Sequence, residues 1–198
     1  MRRASRRAAS GERRAASGEY SRAISRAVAE FQRGQFSEAR ALFEQAHRLE
    51  PSARTLRGMG FADFGSERYA LAVSELEAAL TAARKPLEPD QRREVEEVLA
   101  RAHHMIGHVT VTLSPAHARL RVNGEPANDT RLRLDPGEYL IEASAPGHAS
   151  QLQQIPVSAG EQRSLAIALV RLDTDRASDP GRTQRTAAWI VGGVGAAA

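Results

Sequence analysis

Three imidazoles crowd one short stretch: His103 and His104 are adjacent, and His108 follows His104 by four residues. Side chains four apart share one face of a helix, and with a carboxylate beside them two such imidazoles could seat a divalent metal. Gly107 interrupts that spacing and no third ligand stands near, so the three read as imidazoles at a helix end, where they interact favourably with the dipole. Asp129, Asp135 and Asp173 could supply an acid and a base, but each lies among turn residues, where a carboxylate hydrogen-bonds to local backbone. There is no cysteine, no serine nucleophile elbow, no phosphate-binding loop and no zinc helix, and Gly192-Gly193-Val194-Gly195 follows no strand of a βαβ unit. Arg2-Arg3-Ala4-Ser5 has the form of a basophilic kinase site, although a tail of Arg, Ala and Ser generates that pattern repeatedly. These residues predict a protein that is not an enzyme, with no catalytic residue, no cofactor and no metal.

Charge is distributed unevenly. All 28 basic residues except Lys85 are arginine, and six arginines against Glu12 and Glu19 give the first 19 residues the whole formal excess of +4. The remainder is electrically balanced and offers no broad field for nucleic acid or anionic lipid, so an electrostatic partner would have to use the tail. Residues 1–19 repeat Arg-Arg-Ala-Ala-Ser-Gly-Glu at 6–12 and 13–19, a low-complexity pattern with little to bury, for which disorder is expected.

Helical periodicity starts after the tail. Ile24, Val28 and Phe31 form one apolar stripe and Leu42, Phe43, Ala46 and Leu49 a second, with Gly34 between them. A further pair carries Leu56, Met59, Gly60 and Phe64, then Ala72, Val73, Leu76, Ala79 and Leu80. Pro89 and Asp90 start a fifth helix whose buried face is Val95, Val98, Leu99, Ala102 and Ile106, and Gly107 ends it.

The order of small and large residues in the two pairs, with a period near the ~34 residues of that family, resembles the tetratricopeptide repeat. Ala27, Gly34, Phe36, Ala39, Phe43, Ala46 and Pro51 stand at the family's spacings in the first repeat, and Gly60, Tyr69, Ala72 and Ala79 in the second. Glu67 replaces the turn glycine, Arg84 stands where the closing proline belongs, and the tryptophan is missing from both. The resemblance implies an array over residues 20–106, capped by the fifth helix. It also implies a peptide groove on the first helix of each pair, which places Val28, Gln32, Arg57, Phe61 and Phe64 there.

Beyond Gly107 the period becomes two. Val109, Val111 and Leu113 alternate with threonines, Leu120 and Val122 precede an Asn123-Gly124 turn, and strands follow at 131–134, 138–145, 151–157 and 162–171. Short strands at even spacing predict a small all-β sandwich, so the fold class is α+β as separate domains. Asp135-Pro136-Gly137-Glu138-Tyr139 and Ala145-Pro146-Gly147-His148, flanking one strand, resemble the turns of the PEGA domain. Over residues 108–171 that resemblance implies a non-catalytic β-sandwich module of the kind found in bacterial envelope proteins.

Residues 172–185 read as a linker and 186–198 as an apolar run opening near Trp189, shorter than the ~20 residues of a bilayer span and suited to a truncated or partial anchor. The arginines ahead of this run and the lack of a secretory signal point to the inner side of a membrane, whereas the PEGA resemblance points outside the cytoplasm; both sides stay open. The expected function is a non-enzymatic scaffold, tethered to a membrane or associated with the envelope, that holds a protein or peptide in the helical groove. Two alternatives remain: a soluble regulator that binds nucleic acid through the tail, and a module that binds the cell wall.

Overall fold

The computed structural model describes residues 2–172, with side chains from Ser17 onward. An N-terminal bundle of packed helices is followed by a separate β-sheet region, an α+β architecture in two compact units. The first unit holds the helices together with Arg133–Pro136 and Ser158–Glu161, and the second holds His108–Leu132, Gly137–Val157 and residues 162–172.

Five helices make the first unit: α1 (Arg2–Gln32), α2 (Phe36–Leu49), α3 (Ala53–Gly65), α4 (Tyr69–Thr81) and α5 (Pro89–Met105). Each packs on its neighbour in sequence, and α3 also touches α5. Helical backbone extends through residues 2–19, for which disorder is the expectation from composition. Arg, Ala and Glu are strong helix formers, and there local propensity prevails over the shortage of apolar residues. Caps follow from sequence: the Ser52 hydroxyl accepts from Thr55 N and Thr55 Oγ1 from Ser52 N at the start of α3, while Pro89 occupies the first turn of α5.

The core forms where small residues let helices close. Ala27, Ala39, Phe43, Met59 and Ala62 make one cluster across α1, α2 and α3, and Ala53, Leu76, Ala79, Leu87, Val95 and Val98 make another through α3, α4 and α5. Helix α3 is the shared surface. A Cβ at Gly58 would lie 2.5 Å from the Phe43 ring, and one at Gly60 2.7 Å from the Leu76 side chain. A helical glycine costs about 1 kcal/mol against alanine, while burying a phenylalanine or leucine contributes about 1.5–3 kcal/mol. The close approach therefore outweighs the loss of helix propensity.

In the β-sheet region, β1 (Gly107–Ser114) lies between β4 (Arg131–Leu134) and β7 (Gln162–Ala168). A second sheet runs in the order β3 (Glu125–Ala127), β2 (Arg119–Val122), β5 (Gly137–Ser144), β6 (Gln151–Val157). The second sheet is antiparallel throughout, whereas β1 and β7 pair in parallel, with Val111 opposite Leu165. Alternation is strict where it matters: Val109, Val111, Ile141, Ala143, Ile155, Val157 and Ile167 are buried. Asn123 and Gly124 both take positive φ, the geometry a two-residue hairpin needs, and join β2 to β3. The last strand ends at Ala168, short of the 162–171 expected, and β5 starts one residue early at Gly137. Asp173, Trp189, most of the 172–185 linker and the 186–198 apolar run lie outside the described residues.

Glu67, which stands where the repeat pattern has glycine, adopts φ 60°, and Gly34 at the corresponding turn adopts φ 76°. A left-handed conformation costs a residue with a Cβ about 1–2 kcal/mol. Part of that strain relief is offset by the extra unfolded-state entropy of glycine, so Glu67→Gly is expected to raise the unfolding free energy by up to about 1 kcal/mol in urea titrations.

Candidate functional site

One face of the helical unit carries an open groove of about 290 Å³. Tyr20, Ile24 and Val28, each four residues from the next, line it from α1, Phe43 forms part of its floor from α2, and Arg54, Arg57 and Gly58 face it from α3. Lys85, in the connection after α4, and Gln91 on α5 complete the lining. Gly58 leaves the space that the Phe43 ring occupies, so the same close approach that packs α2 on α3 shapes the groove.

The lining cations are held in place. Lys85 Nζ donates to Glu50 at 2.9 Å and lies 4.6 Å from the centre of the Tyr20 ring. That hydrogen bond, with attraction to Lys85 and Arg84, keeps the Glu50 carboxyl below its ordinary range against a smaller opposing effect of burial. Arg57 pairs with Glu94 and stacks 4.6 Å above the centre of the Phe61 ring, while Arg54 lies 3.6 Å from Glu88. Arg57 Nε is buried and has no hydrogen-bond partner. The surface thus combines an apolar strip with three cations fixed by carboxylates set around it.

Two of the five groove residues read from sequence, Val28 and Arg57, line this groove, and Val28 is 42% exposed. Gln32 is exposed near the end of α1 and does not line it. Phe61 supports Arg57 from the side. Phe64 turns into the packing between α3, α4 and α5, edge-on to Tyr69 with ring centres 5.4 Å apart. Tyr20, Ile24, Phe43, Arg54, Gly58, Lys85 and Gln91 line it without having been anticipated there; the spacing of Tyr20, Ile24 and Val28 was the available signal.

A second polar cluster is buried between α2, α3 and α4. Asp63 is fully buried, and both its oxygens accept from Arg40 Nε at 3.1 Å. Arg40 also donates to Glu44 at 3.1 Å and to Glu75 at 3.4 Å, and Arg68 pairs with Asp63 from the turn before α4. Asp63 O accepts from Arg68 N at 2.9 Å, which ties the same turn to α3.

Of the residues that suggested catalysis, Asp129 accepts from Arg131 N at 2.9 Å, the local turn bond expected. Asp135 departs from that expectation. It accepts from Ala70 N at 2.8 Å within the first unit and so satisfies a free amide at the start of α4, whose own N-cap residue, Arg68, makes no side-chain bond. His103 and His104 lie on α5 and His108 on β1. Among the described residues no three His, Cys, Asp or Glu side chains group as a metal site. No protein-family model and no curated protein matches this chain.

Removing one partner from a buried ion pair leaves the other short of a donor. Arg40→Met is expected to lower the unfolding free energy by about 1–3 kcal/mol, measured by chemical denaturation, because Asp63 loses the Nε–H that its two oxygens share and keeps only Arg68.

Proposed function

We propose that this chain is a non-enzymatic interaction scaffold whose helical unit, of tetratricopeptide type, binds an extended peptide in the groove between Tyr20 and Gln91. The supporting observation is the lining itself: an apolar strip of Ile24, Val28 and Phe43 beside Arg54, Arg57 and Lys85, with no carboxylate in the lining. A peptide that brings an apolar side chain and a carboxylate matches both halves. Its carboxylate would compete with Glu94 for Arg57. In this reading the second unit, a PEGA-like sandwich, acts as a spacer or second docking surface.

The test is selection of a random 12-residue peptide library on the full chain, followed by affinity measurement against V28E and R57E, two changes at partly exposed positions. Selected peptides are expected to be enriched in an aliphatic or aromatic residue near Asp or Glu, and each variant to weaken them at least tenfold, about 1.4 kcal/mol. Peptides that bind wild type and both variants equally would remove the groove from the proposal.

The tether belongs to the same proposal and rests on the 186–198 run with Trp189; among the described residues no helix is long and apolar enough to cross a membrane. When the chain is expressed in bacteria, membranes washed with alkaline carbonate are expected to retain it and to lose it on deletion of 186–198. Complete release of the full chain would exclude an anchor of this kind. Protease treatment of spheroplasts would then report the side on which a retained chain lies.

A further inference from the structure

The cluster around Asp63 does more than hold three helices together. Asp63 and Glu75 both bind the Arg40 guanidinium, at 3.1 and 3.4 Å, and the Glu75 side chain is only 13% exposed. Glu75 Oε2 is buried and has no hydrogen-bond donor. An ionised carboxylate only accepts, so a buried oxygen without a donor beside a second carboxylate is a costly arrangement, and protonation turns one carboxyl into a donor. We propose that Glu75 carries a proton when the helices are packed and shares it with Asp63, so that α2, α3 and α4 are fastened by a proton as well as by the two arginines.

The charged groups around Glu75 support this assignment. Asp63 faces it from α3, Arg40 from α2 and Arg68 from the turn before α4. Glu44, on α2, is engaged at its exposed end by Arg40 and Arg48. On the far side of α4, His103 of α5 and Arg133 pair with Glu77 instead. Burial is the largest influence and, with the hydrogen bond to Asp63 and repulsion from it, pushes the Glu75 carboxyl up to about 8, against the opposing pull of Arg40 and Arg68. A carboxyl raised on folding binds its proton more tightly in the folded state, so its stabilisation is complete below the ordinary glutamate range. It is lost as pH rises from there to about 8. Phe43, on the same helix as Arg40 and three residues further on, lines the groove, so the proton helps to hold the groove's floor whether or not a peptide is the ligand.

The experiment compares full-length wild type with E75Q, which keeps a hydrogen-bond donor and removes the titration, and with E44Q as a control on the same arginine. Melting temperatures followed by circular dichroism at pH 5.5 and 8.5 are expected to fall with pH in wild type and E44Q, and to fall distinctly less in E75Q. Equal pH dependence in wild type and E75Q would overturn the proposal. Carbon-detected NMR of wild-type glutamate carboxyls provides a second readout that does not depend on a variant folding. One carboxyl is expected to titrate with its midpoint above pH 6.5, and a set that titrates wholly between 4 and 5 would also overturn it.

Discussion

Helix α3 has a glycine at each point where a large side chain of a neighbouring helix meets its backbone. Phe43 and Leu76 reach its backbone at Gly58 and Gly60, and the Phe36 ring does the same at Gly65. Ala53 and Ala62, both fully buried, complete this set of small residues. Leu56, Met59 and Phe64 of the same helix pack between these small positions, and the stability of so short a helix comes from that packing. Position and identity are thus coupled: α2 and α4 can sit at this distance only because α3 is small, and α3 is a helix here because they do.

That close approach brings a cost and a use. It carries Asp63 into the interior, where an unpaired carboxylate is expensive, so Arg40 and Arg68 converge on it from two other elements. The same approach opens a space on the face lined by α1 and α3, where Phe43 forms a floor and Arg57 a wall. Packing, buried charge and groove are three consequences of the small residues at 58, 60, 62 and 65.

Much of the architecture was legible because local signals agree with the tertiary outcome. Pro89 and Gly107 bracket α5 within two residues, and its buried face of Val95, Val98, Ala102 and Ile106 follows from spacing alone. Asn123-Gly124 fixed a hairpin, and the strands at 131–134 and 151–157 fall where alternation places them. Features that depend on distant partners were not legible. Asp63 reads as a polar interruption in an apolar helix until Arg40 stands opposite, 23 residues away, and nothing local pairs Asp135 with Ala70. Phe64 was read towards a groove because its spacing cannot say which of two faces α4 and α5 will cover. In the candidate site, Val28 and Arg57 were found from the repeat pattern, whereas Lys85 comes from a connection whose path no periodicity describes.

The pairing of β1 with β7 has a mechanical consequence. These strands begin and nearly end the β unit, and they run parallel in register from His108 opposite Gln162 to Ser114 opposite Ala168. The chain therefore enters at one end of the ladder and passes the other, about 20 Å away at the ~3.3 Å rise of a parallel strand, before residues 170–172 pair with 147–149. Tension between entry and exit acts along the strands and shears the ladder, so its hydrogen bonds resist together. In a hairpin drawn apart from its open end they would yield in succession. The strand order would set this ladder to resist such a pull lengthwise.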